Sequence, residues 1–111
     1  MSDDQEKIEK RYFSIGEVSE MLNVNPSLIR FWETEFEQIT PRKNKKGNRI
    51  YTEKDIEILK SIYYLVKVRG FKLKGAREKM RNNPKELEYE QKARETLLRV
   101  RGFLVELRNS L

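Results

Sequence analysis

Most of the side chains able to do chemistry in this 111-residue sequence are charged, and the cations cluster. The twelve residues Thr40 to Tyr51 hold five basic side chains, Arg42, Lys43, Lys45, Lys46 and Arg49, and no acidic one. Like charges gathered without counter-charges bind polyanions such as nucleic acid or an anionic surface. A second run, Lys67, Arg69, Lys72, Lys74, Arg77, Lys79 and Arg81, is opposed nearby only by Glu78. Over the whole chain 24 Lys and Arg face 18 Asp and Glu, a net charge of +6. There is no cysteine and no histidine, which removes disulfides, thiolate ligands and imidazole acid–base chemistry together. Glu33, Glu35 and Glu37 alternate around a helix and converge on no cleft, and no phosphate-cradling glycine loop or nucleophile–base pair occurs. The expectation is a binding protein rather than an enzyme, with no cofactor and no metal.

The elements that must carry these cations are legible from caps and periodicity. Residues 1–11 read as a polar, flexible tail. Ser14-Ile15-Gly16-Glu17 is a capping-box pattern that opens a short helix with Ile15, Val18 and Leu22 on one side. Asn23-Val24 turns the chain, and Asn25-Pro26 restarts it with Asn25 as N-cap and Pro26 at the first helical position. The second helix, Pro26 to about Phe36, turns Leu28, Trp32, Glu35 and Phe36 inward and Ser27, Arg30 and Thr34 to solvent, with Phe31 on the boundary. Two short helices joined by a tight turn make a helix-turn-helix, whose second member enters the DNA major groove. On that face Arg30 can grip a phosphate or a guanine edge with its fork. Ser27 and Thr34 flank it, and Phe31 can pack on a sugar or a thymine methyl.

Lys46-Gly47-Asn48 is a turn signal, so the basic segment reads as a β-hairpin. Thr52 to Asp55 is a second helix start, followed by Ile56, Leu59, Tyr63 and Val66 on one stripe and by Gly70 as terminator. Phe71 to Met80 make a fourth helix with Leu73, Ala76 and Met80 inward, and Lys72 and Lys74 at its N-terminus, where free amides can also hold phosphate. After Asn82-Asn83-Pro84 comes one helix of roughly 25 residues, or about 37 Å. Ala93, Leu97, Val100, Leu104, Leu107 and Leu111 recur along it at spacings of four and three, a coiled-coil seam for a homodimer. No apolar run approaches the ~18 residues of a membrane span, and the expected location is the cytoplasm.

Four blocks carry a resemblance to a known family. They are Phe13-Ser14-Ile15-Gly16-Glu17-Val18, Leu28-Ile29-Arg30-Phe31-Trp32-Glu33, the stretch Gly47 to Asp55, and Gly70 to Arg77. In this order and spacing they resemble the DNA-binding domain of the MerR family of bacterial transcription regulators. Phe31 stands where that family carries its first tyrosine, and the cysteines of its metal-sensing members are absent. The chain is accordingly identified as a small member without an effector-binding domain.

The resemblance implies an all-α fold with a small β-hairpin wing. A winged helix-turn-helix spans residues 12–81, and an antiparallel coiled-coil dimerisation helix spans 84–111. It implies that Arg49 is the wing arginine on a backbone phosphate. Tyr51 either donates its hydroxyl to phosphate or anchors the wing to the core. Lys72 and Lys74 belong to a second wing against the flanking backbone. The implied function is transcription regulation at a promoter in the bacterial nucleoid, through an inverted-repeat operator in double-stranded DNA, with RNA polymerase as a further partner. The alternative is an architectural or excisionase-like recombination accessory factor using the same domain.

Overall fold

The computed structural model describes residues 12–111, so the expected tail at 1–11 lies outside the described residues. The chain enters as strand β1 (Tyr12–Ser14) and passes directly into helix α1 (Ile15–Leu22). Ser14 is the hinge between the two. Its hydroxyl accepts from the Glu17 amide at 3.1 Å while the Glu17 carboxylate accepts from the Ser14 amide at 3.1 Å, closing the expected capping box. Asn23 ends α1 in the left-handed conformation, φ 54°, which asparagine tolerates better than most residues.

Helix α2 (Pro26–Glu35) follows after three residues, Asn23 to Asn25, with Pro26 in its first turn. Asn25 caps it by backbone geometry alone: its carbonyl accepts from Leu28 and Ile29, while its side chain makes no cap bond. Phe36 is the C-terminal cap and is fully buried. Ile29, not singled out by the helical-wheel reading, is also fully buried, whereas Leu28 is only half-buried.

The wing strands are β2 (Arg42–Lys43) and β3 (Arg49–Thr52). A two-stranded hairpin was expected, but the sheet has three strands in the order β1-β3-β2, all antiparallel. Phe13 pairs with Tyr51 on one edge of β3 and Arg42 with Ile50 on the other. An isolated hairpin is marginal in water, and β1 supplies the third strand that ties the wing to the body of the domain.

Thr52 and Asp55 close a second capping box and start α3 (Glu53–Tyr63). Its last turns widen into a π-helix over Tyr64–Val68, where the Arg69 amide reaches back to the Tyr64 carbonyl. Gly70, at φ 75°, then reverses the chain. The buried apolar positions are Ile56, Leu59, Ile62 and Leu65, while Tyr63 and Val66 of the expected stripe are half-buried. The reason is that α3 is the central element. It touches β3, α1, α2 and the C-terminal helix in turn, so more than one stripe is covered.

Helix α4 (Leu73–Asn82) buries Ala76, and Pro84 starts α5 (Pro84–Ser110), which is 27 residues long. At 1.5 Å per residue α5 extends about 40 Å. Its first turns lie on α4 and α3 with Leu87 buried, and every residue from Lys92 onward is exposed. No helix among the described residues is long and apolar enough to cross a membrane.

Candidate nucleic-acid interface

Trp32, Ile29 and Phe36 hold α2 against the core, and their burial decides what faces outward. Ser27, Arg30, Phe31 and Thr34 are all exposed on the opposite side. Phe31, an aromatic ring at 45% exposure, is a large apolar group left in water at the rim of the helix-turn-helix. The Thr34 hydroxyl donates to the Phe31 carbonyl at 2.6 Å, so its proton is engaged within the helix and its lone pairs face out. Ser27 and Phe31 border an open groove of about 850 Å³ that is also lined by Asn23, Asn25, Tyr63 and Lys67. Lys67, from the π-helical turn, is therefore brought beside Ser27 and Phe31 of α2, a placement that sequence spacing does not reveal.

The wing is shaped by Asn44. Its side-chain carbonyl accepts from the amides of Lys46 and Asn48 at 2.9 and 3.0 Å, and its backbone carbonyl accepts from Gly47. Gly47, at φ 82°, completes a three-residue hairpin loop with a left-handed residue at its end. Lys45 and Lys46 are thereby displayed at the tip, Arg42 and Lys43 along β2, and all four are exposed. Lys43 lies directly opposite Arg49 across the sheet, a like-charge pairing that destabilises a hairpin unless something offsets it.

Glu33 supplies the offset. Its carboxylate, on α2, has only 7% of its side-chain surface exposed and accepts from Arg49 Nε at 2.9 Å. The other oxygen accepts the Tyr51 hydroxyl. Alternation along β3 puts Arg49 and Tyr51 on one face, and that face meets α2. Helix α2 and the wing thus share one carboxylate.

Residues 13–83 match the family described as MerR HTH family regulatory protein. This chain belongs to the MerR family. Over 53 residues it is 36% identical to the HTH-type transcriptional repressor CarH of Myxococcus xanthus, covering 48% of this chain and 18% of that protein. Over 66 residues it is 35% identical to the HTH-type transcriptional regulator ZntR of Escherichia coli strain K12, covering 60% of this chain and 46% of that protein. The matches therefore span less than half the length of these curated relatives. Among solved structures the fold is similar to that of HiNmlR, a MerR family regulator lacking the sensor domain, bound to promoter DNA. The TM-score is 0.52 at 19% identity, over 90% of this chain and 87% of that one.

In this MerR-family chain the second basic run is less free than its sequence suggests. Arg69 pairs with Glu90 at 2.9 Å, Lys79 with Glu86 at 3.0 Å and Glu90 at 3.5 Å, and Arg77 with Glu35 at 3.5 Å. These carboxylates come from α5 and the end of α2, so Glu78 is not the only opposing charge. Lys72, the N-cap of α4, and Lys74 are exposed and join no ion pair among the described residues. No cluster of metal-ligating side chains occurs among the described residues.

Of the two roles open to Tyr51, the geometry selects anchoring. The ring is fully buried and its hydroxyl lies on Glu33, so it offers no surface to a phosphate. Burial, then the hydrogen bond and the charge of Glu33, push this phenol well above its ordinary value of 10, while Arg49 and Arg30 pull the other way. A raised phenol stabilises the fold below pH 10, and that contribution is lost as pH rises through the folded-state value. Tyr51→Phe should therefore unfold less steeply than wild type above about pH 10 in thermal melts recorded across the alkaline range. Parallel curves for the two proteins would mean that the phenol is not held as described.

Proposed function

We propose that this chain binds double-stranded DNA sequence-specifically as a homodimer and regulates transcription at a promoter. The observation that carries the reading is the shared Glu33 carboxylate, which sets the exposed face of α2 beside a wing whose Arg42, Lys43, Lys45 and Lys46 join no ion pair among the described residues. A helix face bearing Arg30, Ser27 and Phe31 is suited to base edges in a major groove. Arg42, Lys43, Lys45, Lys46 and Arg49 are suited to adjacent phosphates, which position without specifying. Lys72 and Lys74 extend that contact along the backbone. HiNmlR, similar in fold and bound to promoter DNA in its structure, adds support.

The dimer rests on α5. Leu97, Val100, Leu104, Leu107 and Leu111 are all at least 49% exposed in the single chain, with Ala93 continuing their line. Leu98, Phe103 and Val105, outside the expected seam, are exposed as well. An apolar ridge this long on a helix is stable in water only when covered, and an antiparallel partner helix covers it symmetrically. Two recognition helices related by a twofold axis then call for an inverted-repeat operator. RNA polymerase is the further partner of a protein acting at a promoter, and the nucleoid is where it would act.

Selection of bound duplexes from a random library at two salt concentrations tests the reading. An inverted repeat that persists at the higher salt is expected. Binding that collapses with salt and yields no motif would overturn it, because phosphate contacts alone behave that way. On the selected duplex, Arg30→Ala should cost ~1–3 kcal/mol if the side chain reads a base, and unchanged affinity would remove Arg30 from the contact set. Leu104→Asp should yield monomers in sedimentation; a persistent dimer would place the interface elsewhere.

A further inference from the structure

Glu33 has the wrong sign for its position. It is an anion between two groups of cations, on a surface proposed to bind phosphates, and electrostatics alone disfavours it there. Its surroundings show what it does instead. The side chain is 7% exposed, one oxygen takes Arg49 Nε at 2.9 Å, and the other takes the hydroxyl of the buried Tyr51.

The contact to Arg49 uses Nε, so the two terminal nitrogens of the guanidinium have no partner among the described hydrogen bonds. With 41% of its side chain exposed, Arg49 is held at its root and open at its fork. That fork is the part suited to bidentate grip of a phosphate. Glu33 also stands three residues after Arg30 on α2, so the two are neighbours on the helix surface. The carboxylate bonded to the wing arginine that would grip backbone thus stands one helical turn from the arginine that would read a base.

We propose that Glu33 is a positioning residue for sequence reading. It fixes the Arg49 fork and locks the wing to α2, so that phosphate contact by the wing forces one register on the recognition helix. The proposal rests on the DNA-reading function above and adds a division of labour to it. Glu33 weakens nonspecific attraction through its charge and strengthens discrimination through its geometry. Removing it should move the two in opposite directions, which neither a purely structural residue nor a purely electrostatic one would do.

The test compares the full-length protein on two duplexes of equal length, the library-selected one and a shuffled one, with thermal melting in parallel. Glu33→Gln keeps an oxygen for the Tyr51 hydroxyl and removes the charge. Binding to the shuffled duplex should be tighter and binding to the selected duplex weaker, with the ratio falling roughly tenfold, the scale of one lost charge-assisted hydrogen bond. Arg49→Lys retains the positive charge and lacks the Nε donor; it should lower the ratio similarly with an unchanged salt slope. The double variant should fall no further than either single one, because both break the same contact.

Equal tightening on both duplexes would reduce Glu33 to an opposing charge and overturn the proposal, as would an unchanged ratio. Should Glu33→Gln fail to fold, a folded Arg49→Lys that keeps its discrimination overturns it alone. A wild-type chain that prefers neither duplex overturns the DNA-reading function itself, and this proposal with it.

Discussion

The structure turns on a carboxylate held almost out of water between a helix and a strand. Burying a charge is costly unless it is paired and hydrogen-bonded, and Glu33 meets that condition through Arg49 and Tyr51. Because the two partners sit two residues apart on β3, both fall on the side facing α2, and satisfying the carboxylate fixes the distance and rotation between helix and strand. The same contact compensates the charge of Arg49, which faces Lys43 in register. A wing with five cations can form because one of them is compensated from outside the sheet. The hydrophobic part of the same joint is Trp32 on α2 and the Tyr51 ring on β3, both buried.

Around this joint the fold repeats one device, a helix start that also ends a strand. Ser14 closes β1 and caps α1; Thr52 closes β3 and caps α3. Since β1 and β3 pair antiparallel, with Tyr12 opposite Thr52 and Ser14 opposite Ile50, the two caps sit at opposite ends of this ladder, and the helices leave from its two ends. Helix α3 then serves as the common wall for α1, α2 and α5. Its π-helical end turns Tyr64 and Arg69 toward Glu90 on α5, which also receives Lys79. Ser61 adds a hydrogen bond to Gln91 at 2.9 Å. Ion pairs as exposed as these contribute little to stability, and their consequence is directional: they set the angle at which α5 leaves the domain and therefore where its apolar ridge points.

The family assignment and the local structure agree because both rest on the same residues. The glycine at 47, the cap at Thr52 and Asp55, and the terminating Gly70 are turn and cap chemistry, and they are also blocks through which the chain resembles its family. Where the resemblance left two roles for Tyr51, burial separated them. Where Phe31 departs from the family pattern, it is an exposed ring with no hydroxyl, so any contact it makes is apolar.

The sequence by itself determined the elements, their order and the exposed face of α2. Capping boxes, the proline at 26 and the left-handed glycines act within four or five residues, and helical periodicity needs no knowledge of the partner surface. The long C-terminal helix was equally legible, because an apolar repeat that fits no small domain must project. Tertiary structure decided the rest. The third strand, the crowded surroundings of α3 and the placement of Lys67 beside the recognition helix depend on which faces the fold brings together. So do the ion pairs: Glu33 to Arg49 spans 16 residues, Arg69 to Glu90 spans 21, and Arg77 to Glu35 spans 42. A charged side chain in a sequence carries a sign but no address. Which cations are neutralised within the protein and which are left for a polyanion is settled only when the chain has closed on itself.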